Sequence, residues 1–286
     1  MSNNKHYTSY KWGKPLLAAA VFAMCQTLTG IMLYATNKAV NDINKNGINS
    51  DSGTEHLLAP SQLALAILIS GMATVCIISK MNMIRWKETF RTNRIDCTTA
   101  IYAIAGSAAG IFSTNIMLEL LGVPNSMEDT FQTMSNSTFC ITCIAITGPV
   151  AEELIFREGI QGTLLRNGVK PWMSIVGSAV IFGIIHFNWM QTIGAACIGT
   201  CLAVVYWKTR SIILTCIIHI ANNSMAVGNI ILINTNNELP SATEMFGGVH
   251  GATATLIICL IASISCLTLM CKHHDRQRNQ MQRIES

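Results

Sequence analysis

Charge is scarce in this chain, and the scarcity excludes a good deal. Only 12% of the 286 residues are Asp, Glu, Lys or Arg, half are hydrophobic, and the apolar residues come in long blocks, not short amphipathic repeats. No segment longer than a loop has the composition of a soluble domain. Despite a net charge of +4, nothing resembles a nucleic-acid module. The blocks do not alternate apolar with polar residues, so of the two structures that satisfy backbone polar groups in lipid, the helix and the closed barrel, the helix remains. No internal repeat is evident, and the whole of 1–286 reads as one integral-membrane domain. The metal-protease signature H-E-x-x-H is missing, which excludes a zincin. The 11 cysteines lack the small secreted setting of a disulfide framework; nearly all fall inside apolar blocks and read as packing residues. Cys140 and Cys143 have C-x-x-C spacing, but no basic neighbour activates the thiols and no second pair completes a zinc site.

What is present is a series of apolar blocks of about 20 residues, the length that crosses a hydrocarbon core of about 30 Å. They predict an all-α polytopic membrane protein with about eight transmembrane helices, over 15–36, 57–79, 98–121, 137–156, 172–187, 193–207, 211–233 and 249–271. The first is long for a signal peptide and is expected to remain as an uncleaved helix. An Asn-rich loop over 37–56 and an acidic loop at Glu128 and Asp129 separate spans. The third span carries Gly106, Ser107, Ala108, Ala109 and Gly110, as close helix packing in lipid prefers. Lys80, Arg85, Lys87, Arg91 and Arg94, with Trp86 and Phe90 among them, predict a connector helix lying on an anionic membrane surface. With eight spans, every Lys and Arg except Lys38 and Lys45 falls on the side of the two termini. By the positive-inside rule this predicts a multi-pass plasma-membrane protein with both termini cytoplasmic and membrane lipid as its surroundings.

Against that background the stretch Ile146-Thr-Gly-Pro-Val-Ala-Glu-Glu-Leu-Ile-Phe-Arg157 stands out. Ionisable groups at the centre of a spanning helix cost about 2.5 to 3.5 kcal/mol on insertion scales, so Glu152, Glu153 and Arg157 are functional candidates. Glu153 and Arg157 share a helix face at i, i+4, and the two carboxylates diverge by about 100°, so they need not do the same job. Two later spans supply partners: Phe182 with His186, and His219 with Asn223, each pair again four apart. A buried carboxylate hydrogen-bonded to a neutral imidazole can take a proton from water, and an amide or imidazole N–H can stabilise the oxyanion formed when that water attacks a peptide carbonyl. Glu152, His186 and His219 would also suffice as ligands for catalytic zinc, and the residues leave that choice open.

E-E-x-x-x-R, F-x-x-x-H and H-x-x-x-N, in that order on three membrane helices, resemble the CPBP family of CAAX-protease and bacteriocin-processing intramembrane proteases, also called Abi or Rce1-like. The resemblance covers about 137–233 and places the catalytic core in helices 4, 5 and 7. It implies an endopeptidase acting on a membrane-associated peptide or protein, of the CAAX type or processing a bacteriocin or leader peptide. Glu152 and His186 would activate water, and His219 and Asn223 would stabilise the oxyanion. Glu153 belongs to the same candidate set, and Arg157 and Phe182 support it. The family usually has Gly directly after the Arg; this chain has Glu158 and then Gly159, which predicts different packing there. Depth also needs reconciling, since His219 lies about 12 Å and His186 about 21 Å inside their spans at 1.5 Å per residue.

Two other readings start from the same residues. A non-cleaving membrane scaffold or bacteriocin self-immunity protein would keep the fold, although loss of a motif residue would then be expected and none is lost. A proton-coupled transporter would use the carboxylates as a relay, and the lack of an internal repeat counts against it.

Overall fold

The computed structural model describes residues 3–45, 59–90, 95–124, 127–234 and 240–285, and among these every regular element is a helix. In chain order they are α1 (Asn3–Lys45), α2 (Pro60–Lys80), α3 (Trp86–Thr89), α4 (Cys97–Leu120) and α5 (Glu128–Met134). Then follow α6 (Thr138–Arg166), α7 (Pro171–Ile184), α8 (Trp189–Thr209), α9 (Ile212–Asn234), α10 (Ala242–Met245) and α11 (Val249–Glu285). The architecture is all-α and polytopic, but among the described residues seven helices, not eight, are long and apolar enough to cross a membrane. The predicted fifth span is the exception. Its helix, α7, has 14 residues, about 21 Å at 1.5 Å per residue against a core of about 30 Å. It ends at Ile184, and α8 starts at Trp189, ahead of the predicted start at 193. The reason is a cap that hydropathy does not register: the Asn188 side chain accepts from Gln191 N at 3.1 Å and begins the helix there.

Other boundaries moved as well. α1 continues through the start of the predicted Asn-rich loop to Lys45, and residues 46–58 lie outside the described residues. The predicted acidic loop is the short helix α5. Within the predicted surface connector Lys80 ends α2 and the described residues after it form one further helix, the four residues of α3; Arg91 and Arg94 lie outside the described residues. Cys140 and Cys143 are both buried in a cluster with Ala64 and Met134, and all 11 cysteines are free thiols.

Helix α6 runs through the middle of the bundle, and every residue from Glu153 to Leu164 is buried. Its Phe156 is fully enclosed, edge-on to Phe22 of α1 with centroids 5.6 Å apart and to Phe182 of α7 at 5.0 Å. On the other flank α11 packs along α4, where the small residues let the backbones approach. A Cβ at Gly106 would stand 3.0 Å from Leu267, and one at Gly110 would stand 2.8 Å from Ser263 Oγ. Beyond the apolar part of α11, His273 Nε2 and Gln277 Nε2 reach Asp96 Oδ2 at 2.6 and 2.7 Å. Asp96 also caps α4 by accepting from Thr99 N, so one carboxylate starts one helix and fastens the end of another.

Candidate active site

The site begins with an irregularity in α6. Residues Cys143–Thr147 and Leu154–Gln161 are π-helical, on either side of the α-helical turn Gly148–Glu153. The first has a local cause. Pro149 has no N–H to donate to the preceding turn, and Gly148 N bonds Cys143 O, five residues back. A Cβ on residue 148 would stand 2.8 Å from that same oxygen, so this register requires glycine. The Ile144 carbonyl consequently has neither its α-type donor, residue 148, nor its π-type donor, residue 149. A buried carbonyl without a donor is costly, and Asn223 of α9 fills the gap with Nδ2 donating to Ile144 O at 3.0 Å. Asn222 Nδ2 in turn donates to Asn223 Oδ1 at 2.9 Å, which fixes the orientation of the Asn223 amide.

One turn before Asn223, His219 enters between the two carboxylates. Its Nδ1 is 3.0 Å from Glu153 Oε1, a distance at which Nδ1–H donates to the carboxylate. The opposite nitrogen, Nε2, faces Glu152 Oε2 at 3.7 Å, too long for a hydrogen bond and short enough for one water to touch both. The carboxylates differ in surroundings. Glu153 has no exposed side-chain surface, and its Oε2 accepts from Arg157 Nε at 3.2 Å, the ion pair that i, i+4 spacing anticipates. Glu152 retains 19% side-chain exposure and has no Lys or Arg partner holding it among the described residues. Glu153 is thus an anchor for His219, and Glu152 is the carboxylate within reach of water.

Phe182 joins the remaining residues. Its ring meets His186 edge-on at 5.1 Å and His219 at 5.8 Å, and the Arg157 guanidinium lies 5.3 Å from its centroid. The depth offset between the histidines is taken up here, since Phe182 sits one turn before His186 and α7 is short. His186 lies just past the end of α7, and its Nδ1 is 2.8 Å from the Phe182 carbonyl. In a neutral imidazole, donation from Nδ1 to that oxygen makes Nε2 the nitrogen that can accept. Arg157 Nη1 also donates to Ser178 of α7 at 3.2 Å, tying α6 to α7.

The structure therefore gathers Glu152, Glu153, Arg157, Phe182, His186 and His219 into one continuous cluster, with Asn223 on the same face of α9. Sequence reasoning missed three participants: Ser178, Asn222 and the Ile144 carbonyl. Only the last has a readable signal, the Gly148-Pro149 pair within an apolar helix. Glu158, the departure after Arg157, has its own buried setting. Its carboxylate accepts from Arg166 Nη1 at 2.8 Å and from the Tyr206 hydroxyl, so a second polar network stands where the family usually has glycine.

The same groups suit a metal poorly. Among the described residues no three His, Cys, Asp or Glu side chains are gathered to hold one. His219 and Glu152 approach each other, but His186, the third candidate ligand, joins them only through the ring of Phe182. Glu152, His186 and His219, the residues that could have held zinc, are therefore not gathered as a ligand set.

A bundle of membrane helices enclosing a carboxylate–imidazole centre with one partly exposed carboxylate holds the groups that activating a water requires. Residues 134–225, which contain every member of the cluster, match the family model "Type II CAAX prenyl endopeptidase Rce1-like". This segment, about a third of the chain, is thus similar to the Rce1-like intramembrane proteases. It is also similar to a Bacillus subtilis (strain 168) protein named "Putative membrane peptidase YdiL", 26% identical over 206 residues, covering 69% of this chain and 84% of the relative. No solved structure matches the chain.

Proposed function

We propose that the protein is an intramembrane endopeptidase that hydrolyses a peptide bond of a membrane-associated protein or peptide. The observation that carries this reading is His219, held by the buried Glu153 at 3.0 Å while its other nitrogen faces the partly exposed Glu152 at 3.7 Å. Glu152 takes the proton of the attacking water, and His186, with Nε2 free to accept, assists from the end of α7. An oxyanion role for His219 requires a proton on Nε2 as well as Nδ1, and the two flanking carboxylates can balance that charge. Asn223 has one amide hydrogen committed to Ile144 O; the other remains for the oxyanion. The substrate is of the CAAX type or a leader peptide, bound where its scissile bond reaches bilayer depth. Incubating the purified protein with a library of membrane-anchored peptides should yield products with wild type and none with Glu152→Ala; identical products from both would remove the assignment.

Asn223→Ala should lower turnover by about 10² to 10³ with substrate binding little changed, the usual cost of losing one oxyanion donor. If binding falls and turnover per bound substrate does not, Asn223 serves the Ile144 carbonyl alone. The metal question has its own measurement. Active wild-type protein should contain no stoichiometric zinc and resist chelators, and His186→Ala should lose activity with no change in metal content. Zinc bound to wild type and lost from His186→Ala would establish a metallopeptidase instead.

Both termini are placed in the cytoplasm, with the short α7 counted as a crossing, from the restriction of Lys and Arg, save Lys38 and Lys45, to that side. A reporter active only outside the membrane should give signal when fused after Ser241 and none at the C-terminus. The reverse pattern would move the Glu pair toward the opposite face.

A further inference from the structure

Away from the cluster, three segments close around a polar pocket of about 260 Å³. Lys14 comes from α1, Asn82 and Arg85 from the turn after α2, and Thr163, Arg166 and Asn167 from the end of α6. No acidic residue lines it. Arg166 forms a preorganised wall: Glu158 holds its Nη1, and its Nη2 donates to Met83 O at 2.6 Å and Thr163 Oγ1 at 2.9 Å. Arg85 pairs with Glu88 at 3.2 Å, but both side chains are more than half exposed, and such a surface pair is easily exchanged for another anion. Lys14 donates to the Met81 carbonyl at 3.3 Å and has no carboxylate at ion-pair distance among the described residues. Asn82 occupies a left-handed turn (φ 56°), a conformation asparagine tolerates, and this brings Arg85 back over the end of α6.

The level of the pocket is marked independently. Immediately after Arg85, Trp86 and Phe90 stack with centroids 6.1 Å apart, both exposed, and Trp86 Nε1 donates to Ser79 Oγ at 2.6 Å at the end of the apolar part of α2. Exposed aromatics at the end of a spanning helix sit at the headgroup boundary, and basic pockets between membrane helices at that boundary take lipid phosphates. A water's share of liquid volume is about 30 Å³, so the pocket admits a phosphate group with several waters. We propose that this pocket is a phosphate-binding site, filled by the headgroup of an anionic phospholipid and clamping α1, α2 and α6 together.

The test uses the full chain in phosphatidylcholine nanodiscs containing increasing phosphatidylglycerol, with melting temperature and retained phosphatidylglycerol per protein as readouts; neither depends on peptidase activity. A ligand that binds only the folded state raises the melting temperature in a saturable way. In Lys14→Gln/Arg85→Gln the half-saturating phosphatidylglycerol should rise about 10- to 30-fold, as loss of two basic contacts to an anionic headgroup implies. The control Arg276→Gln/Arg278→Gln removes the same charge from the tail of α11 and should respond as wild type. A parallel titration with inorganic phosphate at matched ionic strength separates the sources: saturable stabilisation by phosphate alone identifies a soluble ligand for the same site and overturns the lipid assignment. Equal responses from wild type and the pocket variant, or no saturable response to either probe, would overturn the proposal altogether. The pocket variant must melt like wild type without phosphatidylglycerol; if it does not, Lys14→Gln alone, which breaks only one exposed contact to a carbonyl, is read in its place.

Discussion

Arg157→Ala should lower unfolding stability by about 3–5 kcal/mol, the cost of stranding one partner of a buried ion pair. Both side chains of the pair are wholly enclosed, so the Glu153 carboxylate would lose its guanidinium with no water to replace it. Arg157 also holds Ser178 and lies against Phe182, so its removal loosens the contact of α6 with α7, on which His186 depends. Arg157→Lys keeps a charge but cannot donate to Glu153 and Ser178 from one planar fork, and should fall between. Glu153→Gln/Arg157→Met removes both charges and should be less destabilised than Arg157→Ala alone, because nothing ionised is left unpaired. Denaturant or thermal unfolding in one lipid composition measures all three. Wild-type stability in Arg157→Ala with abolished cleavage would show that the guanidinium acts on substrate.

The fold was legible because lipid imposes so simple a rule. Long apolar blocks without alternation must be helices, and among the described residues seven helices have the length to cross. Helix ends were harder to read, because hydropathy does not mark them. Ile185 and Phe187 are as apolar as the helix before them, yet Ile185 is the C-cap of α7 and Phe187 adopts a positive φ of 52°. In the site, i, i+4 spacing was enough to pair Glu153 with Arg157 and to set His219 and Asn223 on one face. It could not say which glutamate would hold His219, since that depends on how two π-helical segments rotate the carboxylates within α6. Nor could it reveal that Asn223 meets a backbone carbonyl, a contact created by Gly148 and Pro149 and reaching back 79 positions in the chain to Ile144. The Glu158–Tyr206–Arg166 network was visible only as a departure from pattern; the partners of Glu158 are 48 and 8 residues away and share no local signal.

Glu152 is the proposed proton acceptor, and Glu152→Gln isolates that role. Gln has nearly the same shape and keeps an oxygen that can face His219, but it cannot take a proton at neutral pH. General-base catalysis contributes about 10² to 10⁴ in rate, so turnover should fall by that factor. Glu152 is partly exposed and not held in the buried ion pair, so the melting temperature should stay close to wild type, in contrast to Arg157→Ala. The most direct measurement is single-turnover cleavage of one membrane-anchored substrate by wild type and Glu152→Gln in the same lipid, with substrate binding measured in parallel. A fall of about 10² to 10⁴ in the cleavage rate with unchanged binding is the predicted result; cleavage by Glu152→Gln at the wild-type rate would contradict it.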